Sequence, residues 1–453
     1  MISRIIMIGA GTITGFMVII LIIFGIIRRN GLFYGEKTKY VLLNILRKIS
    51  WRDFFESHLR ADTGKVLDRP FGSTYHYFFW DRLLFNPVYL TRPPLSLDSE
   101  MDIGVVIGPK ASRPLHLQIP IIIAGMSYGG ALSLRAKIAL AKAATIAGTA
   151  ANSGNGPFLL EERANAARYI LQYSRGFWAK AEEYLKQVDM IEINLGQGAW
   201  GPAPVRIQGN KVNSELAKRI GTIPGLDILI EARLPEVNNP TDWGNLIKAL
   251  KEVSGGVPVA VKFGTSHYLE RELDLMIAGG IDAVILDGAE GGAHACPPIL
   301  LDDMGLPAFP SLCRAVNYFE TRQLKGKVSL IIGGGLSTPG DFLKCLALGA
   351  DGVIIGTIAA LTMVHTQITK PIPWEPPTGL IYHGGKEEAK YDPELGAKHF
   401  SNYLGSCVAE MRQIARILGK RSFRELSKTD LVAIDPLYAA MAGVEYLKDK
   451  SKV

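Results

Sequence analysis

Between residues 120 and 356 the chain repeats one pattern about eight times: a short apolar run closes on Gly, Ser, Asn or a charged residue, and a stretch with helical spacing of its apolar positions follows. The runs lie at 120–124, 149–152, 190–194, 228–232, 257–263, 283–287, 328–333 and 352–356, with helical stretches such as 132–147, 269–278 and 340–348 between them. Alternation of this kind belongs to strand–helix units around a parallel sheet. It predicts a (β/α)8 TIM barrel, whose span here is close to the roughly 250 residues usual for that architecture. An open doubly wound sheet fits less well, because no nucleotide-type glycine turn follows the first run.

The barrel region, 116–370, sits between two others. Residues 31–115 read as a linker and N-terminal packing region, with an aromatic cluster from Tyr75 to Trp80 and the pair Pro93-Pro94. Residues 371–453 read as a proline-rich connection (Pro371, Pro373, Pro376, Pro377) and a helical C-terminal extension from about 395 to 447. Residues 1–30 hold an uncharged run, 5–27, which as a helix extends roughly 34 Å and would cross a hydrocarbon core of about 30 Å. A cleaved signal peptide would have a shorter apolar stretch and a small-residue cleavage site, whereas this run ends in Arg28-Arg29. Arg28, Arg29, Lys37 and Lys39 follow it and only Arg4 precedes it, so a single-pass anchor in the cell membrane with a cytoplasmic catalytic portion is expected. Gly11 and Gly15 have the spacing that lets two such helices approach and form a homo-oligomer, although ordinary membrane glycine accounts for them better.

With 48% hydrophobic residues the chain is no disordered polypeptide. Its four cysteines, Cys296, Cys313, Cys345 and Cys407, have no C-x-x-C pair, which argues against a disulfide scaffold, a zinc site or a self-contained iron–sulfur cluster. The formal charge of +7 is spread thinly and selects no anionic partner, nucleic acid included.

In a barrel the chemistry lies at the C-terminal ends of the strands. The residues there are small and polar: Gly125-Met126-Ser127-Tyr128-Gly129 after the first run, Asn152 to Gly156 after the second, and Gly196-Gln197-Gly198-Ala199 after the third. Bare backbone of this kind admits a flat or phosphorylated ligand, though tight turns alone also use glycine. Gly333-Gly334-Gly335 after the seventh run and Gly356-Thr357 after the eighth, opening a helix, form the usual phosphate site of such barrels. Lys262 closes an otherwise apolar run, where an anionic ligand would compensate its burial and escape to solvent is the plainer alternative. Asp287, Glu290 and His294 surround Gly291-Gly292 on the same rim, and any of the three could transfer protons.

Taken together, these residues resemble the flavin-binding synthase domain of glutamate synthase in its stand-alone form. The matching motifs are Met126-Ser127 with Gly129, the segment 152–156, Gln197-Gly198-Ala199, Val261-Lys262, Gly291-Gly292, Gly333-Gly334-Gly335 with Leu336, Gly356-Thr357, and a tail stretch 410–431 containing Gly419, Arg421-Ser422 and Asp430-Leu431. The resemblance covers roughly residues 65–435. It implies FMN as cofactor, its phosphate on Gly334, Gly335, Gly356 and Thr357 and its isoalloxazine across Met126, Ser127, Asn152 and Gln197, near Gly291 and Gly292. Lys262 would face the flavin pyrimidine or a substrate carboxylate, and Ser127, Glu290 and His294 join it as catalytic candidates. The implied reaction is reductive amination: 2-oxoglutarate and ammonia give 2-iminoglutarate, and hydride from FMN N5 yields glutamate.

Four departures qualify the resemblance. The chain opens on the apolar run rather than a glutaminase domain, so ammonia comes free or from a partner. Leu361-Thr362-Met363-Val364-His365 stands where the family's larger enzymes carry cluster cysteines, so no iron–sulfur cluster is expected. Trp200-Gly201-Pro202-Ala203-Pro204 replaces the usual lysine and glycine-rich run. No second nucleotide-binding unit follows, so the electron donor is external: a ferredoxin, a reductase subunit or a membrane carrier. Two other readings compete: a flavin barrel with different chemistry, forming an N-alkylglutamate or oxidising a hydroxy acid, as apolar Trp200 would favour, and a non-catalytic electron-transfer module.

Overall fold

The computed structural model describes residues 49–447 apart from 76, 373 and 374. The chain divides into two compact units, 1–67 and 68–453. The apolar run 5–27, with Gly11 and Gly15, lies outside the described residues; among the described residues no helix is long and apolar enough to cross a membrane. In the first unit a helix spans Trp51–Thr63. The Ser50 side chain accepts the Asp53 N–H at its start, and Gly64 closes it in the left-handed conformation.

The second unit is built on eight parallel strands that form a nearly closed barrel of the TIM type. In chain order they are Ile121–Ile123, Ala151–Asn152, Tyr169–Tyr173, Met190–Asn194, Val259–Gly264, Ala283–Asp287, Ser329–Gly333 and Gly352–Ile355. The eighth pairs with the first in parallel, Val353 opposite Ile121. Between the first strand and the second the ladder is missing, and the Thr149 hydroxyl donates to the Ile121 carbonyl across that seam at 2.6 Å. Below the barrel, a hairpin of Val105–Ile107 and Leu115–Leu117 turns Val105, Ile107, Leu115 and Leu117 into one apolar cluster with Ile122, Ile170, Met190, Ile285, Ile331 and Ile354. This seals the N-terminal mouth and leaves the C-terminal mouth as the open one.

One expected strand is wrong. The run at 228–232 is not a barrel strand: Ile228–Ile230 pairs antiparallel with Val205–Ile207 in a separate two-stranded ribbon, with Leu229 exposed between two buried isoleucines. Its place is taken by Tyr169–Tyr173, buried at all five positions, which makes Met190–Asn194 the fourth strand rather than the third. A strand inside a barrel meets helices on one side and core on the other, whereas a ribbon lying on a rim buries one face.

The extension after the barrel is only partly helical. Helix Pro393–Ile417 starts on the Asp392 side chain, and an ion pair between Glu394 and Lys142 ties it to helix Leu134–Ala147. Strand Leu431–Ala433 then pairs antiparallel with Leu83–Phe85, joining the two sequence ends of the unit. Buried Asp430 fixes that junction through Arg92 at 2.7 Å and Lys420 at 3.1 Å.

Candidate active site

The open mouth of the barrel leads into a cavity of about 800 Å³. Met126, Ser127, Gln197, Lys262, Glu290, Gly291, Gly292, His294, Gly334, Gly335, Gly356 and Thr357 all line it. Asn152 does not. It is buried beneath the floor, where its Oδ1 accepts the Gly154 N–H at 3.0 Å and its Nδ2 donates to Glu192 Oε2 at 2.7 Å.

Three floor residues were not singled out from the sequence. Gln172, on the missed third strand, lines the cavity and donates its Nε2 to Glu192 Oε1 at 2.5 Å. Glu192, inside the fourth strand and fully buried, thus takes both amide groups. A carboxylate only accepts, so both amide nitrogens turn to it, and Gln172 is left with its carbonyl oxygen to offer a ligand. Gly125 makes this floor compact: a Cβ there would lie 2.9 Å from both Asn152 Oδ1 and Gln172 Nε2. Asn194, the third residue, caps the turn into Gln197 by accepting the Gly196 N–H at 2.9 Å. A polar side chain inside an apolar run was the available signal for Gln172 and Glu192.

Lys262 is 3% exposed and holds Asp287 Oδ2 at 3.4 Å. Burial works against its charge, but the carboxylates of Asp287 and Glu192 outweigh it and raise the pKa, so the ammonium is retained at neutral pH. Behind the first two loops lies another buried lysine. Lys137 Nζ donates to the carbonyls of Met126 (2.8 Å), Asn152 (2.8 Å) and Ser153 (3.1 Å) and meets Glu162 at 2.8 Å. It fixes the backbone that carries Met126 and Ser127.

On the opposite rim, Gly334 and Gly335 have φ of +116° and +67°, and a Cβ on Gly335 would come within 2.8 Å of the Glu290 Cβ. No acceptor among the described residues faces their N–H groups, and helix Thr357–Val364 begins at Gly356 without a side-chain cap. A set of free N–H donors at a helix start is suited to an anion.

The outer wall differs from expectation. Segment 69–80, read as packing, runs along the loop after the sixth strand: Arg69 pairs with Cys296, and the Phe71 N–H reaches the Ala293 carbonyl at 2.9 Å. This brings Tyr75, Tyr77 and Phe79 to the cavity. His294 sits edge-on to Tyr382 at 4.3 Å, with Nδ1 buried and unpartnered; burial lowers its pKa to about 4, which keeps the ring neutral.

Glu290 Oε2 accepts the Ala308 N–H at 2.8 Å, and burial raises its pKa to about 7, with Asp287 adding to the rise and backbone N–H groups opposing it. Because the folded value lies above the ordinary 4.5, the stability linked to this group is complete below pH 4.5 and is lost as the pH rises through 7. The loss amounts to about 3 kcal/mol. Glu290→Gln keeps an acceptor for Ala308 and removes the titration, so its apoprotein should gain on the wild type in melting temperature between pH 5 and pH 8. A constant difference across that range would show that Glu290 titrates normally.

The conserved region of glutamate synthase matches residues 86–421 of this chain. The glutamate synthase large subunit-like protein of Rhizobium meliloti is 33% identical over 389 residues, which covers 81% of this chain and 86% of that protein. The archaeal glutamate synthase (NADPH) of Archaeoglobus fulgidus is 29% identical over 395 residues, 81% of this chain and 76% of its own length. Among solved structures, an (S)-mandelate dehydrogenase aligns over 83% of this chain and 94% of its own, with a TM-score of 0.52 at 15% identity, a likeness of fold alone.

Proposed function

The chain belongs to the glutamate synthase family, and from that premise we propose that it is a membrane-anchored, FMN-dependent oxidoreductase that converts a 2-oxo acid and an amine into an amino acid, glutamate in the first instance. The observation that carries this reading is the pairing, across one cavity, of free N–H donors at Gly334, Gly335 and the Thr357 helix start with a buried ammonium at Lys262. FMN fits that arrangement. Its phosphate needs donors, which the backbone N–H groups of Gly334 and Gly335 offer, its flat ring needs the bare backbone around Gly125 and Met126, and its pyrimidine edge carries both an N–H and carbonyl oxygens. Gln172 Oε1 suits the first and Lys262 Nζ the second.

Bound there, FMN would supply a hydride from N5 to the imine carbon. The chain's own part is orientation, charge and proton handling. Gln172 and Lys262 would hold one edge, Gly334, Gly335 and Thr357 the phosphate, and Met126-Ser127 a face. Loss of water from the amine adduct requires a proton, and Glu290, half-protonated near pH 7, has Oε1 left to give it while Oε2 stays on Ala308. Neutral His294 lines the cavity wall beside Tyr382.

The described residues hold no cluster of three or more His, Cys, Asp or Glu side chains suited to a metal ion, and the loop after the eighth strand has no cysteine. In this reading the electron donor is external: a ferredoxin, a reductase subunit or a carrier in the membrane reached through residues 5–27. A second specificity is favoured by Trp200, which packs with Ala199, Ala293, Cys296, Leu300 and Leu301 into an apolar wall of the cavity. Such a wall suits a less charged or larger amine, as in N-alkylglutamate formation.

The test is anaerobic. Detergent-purified protein, photoreduced and mixed with 2-oxoglutarate, should recover its oxidised flavin bands only when ammonium or methylamine is also present, and the faster amine identifies the specificity. Absence of flavin bands would sink the cofactor assignment, and a reduced flavin indifferent to every combination would sink the reaction.

A further inference from the structure

Among the described residues of the second unit, three basic side chains are buried: Lys137, Arg175 and Lys262. Two of them have a carboxylate. Lys137 meets Glu162 at 2.8 Å, and Lys262 has Asp287 at 3.4 Å with Glu192 close enough to act on its charge. Arg175, 4% exposed, has none among the described residues, and burial is the one influence on its pKa, which it lowers. Its Nη1 donates to the carbonyls of Pro202 at 2.8 Å and Ala232 at 3.0 Å, its Nη2 donates to the Ala203 carbonyl at 3.1 Å, and its Nε is buried with no partner.

Carbonyl dipoles satisfy part of a guanidinium's donor set and ease its burial, but they bring no net counter-charge. A buried cation without a counter-charge is costly unless something else brings the anion. Arg175 follows the third strand directly, on the open rim, and lines the cavity. Of the other cations lining the cavity, Lys262 is held by two carboxylates, Arg206 by Asp227 at 3.3 Å and Lys344 by the Trp80 carbonyl at 2.7 Å, while Lys211 is exposed and its charge is met by water, so Arg175 alone among these lining cations is buried without a counter-charge. With two carboxylates around one ammonium, the Lys262 cluster repels a further anion, whereas Arg175 attracts one.

We propose that Arg175 is the carboxylate anchor of the substrate, and that the substrate is a 2-oxo acid whose carboxylate meets this guanidinium while its chain runs along the wall of Trp200. Arg175 is bound to the carbonyls of Pro202 and Ala203, and the Ala203 N–H reaches the Trp200 carbonyl at 3.2 Å, so anchor and wall belong to one loop. The assignment rests on the reading above that the substrate is an oxo acid. It divides labour between the two buried cations: Arg175 takes the substrate, and Lys262 serves the pyrimidine edge.

The test is binding, without turnover. 2-Oxoglutarate and its uncharged dimethyl ester are titrated by calorimetry into the oxidised full-length protein in detergent, wild type against Arg175→Gln and Arg175→Lys, with flavin content and melting temperature recorded for each. The wild type should prefer the acid over the ester by at least about tenfold, and Arg175→Gln, which can still donate to a carbonyl, should weaken the acid on the order of 50-fold while leaving the ester unchanged. Arg175→Lys, which keeps the charge, should recover most of the preference. If Arg175→Gln does not fold, the wild-type preference and its retention in Arg175→Lys carry the test. Equal weakening of acid and ester would mean that Arg175 only clamps the loop, and that result overturns the proposal, as does a wild type that takes the ester as well as the acid. A wild type that binds acid, with a folded Arg175→Gln that binds it equally, overturns the anchor and leaves the oxo-acid reading standing. A wild type that takes neither overturns both.

Discussion

Lys262→Met should lower kcat/KM by about a thousandfold under the anaerobic assay, the scale of losing a preorganised charged donor in a water-poor site. Two effects contribute. The first is loss of the cation proposed for the pyrimidine edge. The second is electrostatic: Asp287 and Glu192 remain as buried carboxylates on neighbouring strands with no ammonium between them, and breaking a buried ion pair of this kind costs about 3–5 kcal/mol of stability. The two separate in the double variant Lys262→Met with Asp287→Asn, which removes an uncompensated charge and should recover melting temperature without recovering turnover. Lys262→Arg keeps the charge but brings a longer planar fork into a site that is 3% exposed, so it should retain flavin and only a small part of the rate. Turnover in Lys262→Met within tenfold of the wild type would show that the lysine is no more than a partner for Asp287.

Much of this arrangement was legible in the sequence, and the exceptions have a common origin. Strands such as Ala283–Asp287 and Ser329–Gly333 are uninterrupted apolar runs because a barrel buries them on both faces, and their ends are glycine or polar because a cavity begins there. Tyr169–Tyr173 escaped notice because Gln172 interrupts it, and Gln172 is polar because it belongs to the floor. The ribbon strand Ile228–Ile230 was mistaken for a barrel strand because three apolar residues do not reveal how many faces are covered. Asn152 stood at the correct level of the barrel, yet its side chain turns below the cavity to meet Glu192, forty positions later in the chain, a partner that local spacing does not contain. The aromatic residues Tyr75, Tyr77 and Phe79 reach the cavity through Arg69 and Phe71 pairing with a loop more than 200 positions away. Arg175 illustrates the same limit: its lack of a carboxylate is visible only once the fold has brought every candidate partner past it.

Glu192→Gln should release the flavin, weakening its retention on the order of a hundredfold although the substitution barely changes shape. The carboxylate accepts from Gln172 Nε2 and from Asn152 Nδ2, at 2.5 and 2.7 Å, through separate oxygens. An amide at the same place has one oxygen and one NH2 group, so one of the two donors would face another donor. Whichever amide turns round presents the wrong atom on its far side: Gln172 would offer NH2 to the N–H of the pyrimidine edge, or Asn152 would lose the Gly154 N–H that holds the second loop. Hydrogen bonds to a charged acceptor are each worth about 1.5–3 kcal/mol, and losing one, with the reversal it forces, accounts for the hundredfold. Lys262 also keeps only Asp287 as a counter-charge. If Glu192 acts through the amides, the variant Gln172→Met should lose flavin to a similar degree, and the double variant should be little worse than either single one, because the second substitution removes a contact already spoiled. Additive losses would instead make Glu192 a direct or purely electrostatic contributor. Retention within threefold of the wild type after dialysis would mean that the floor tolerates either orientation, and the cavity would then have to recognise its ligand from the rim alone.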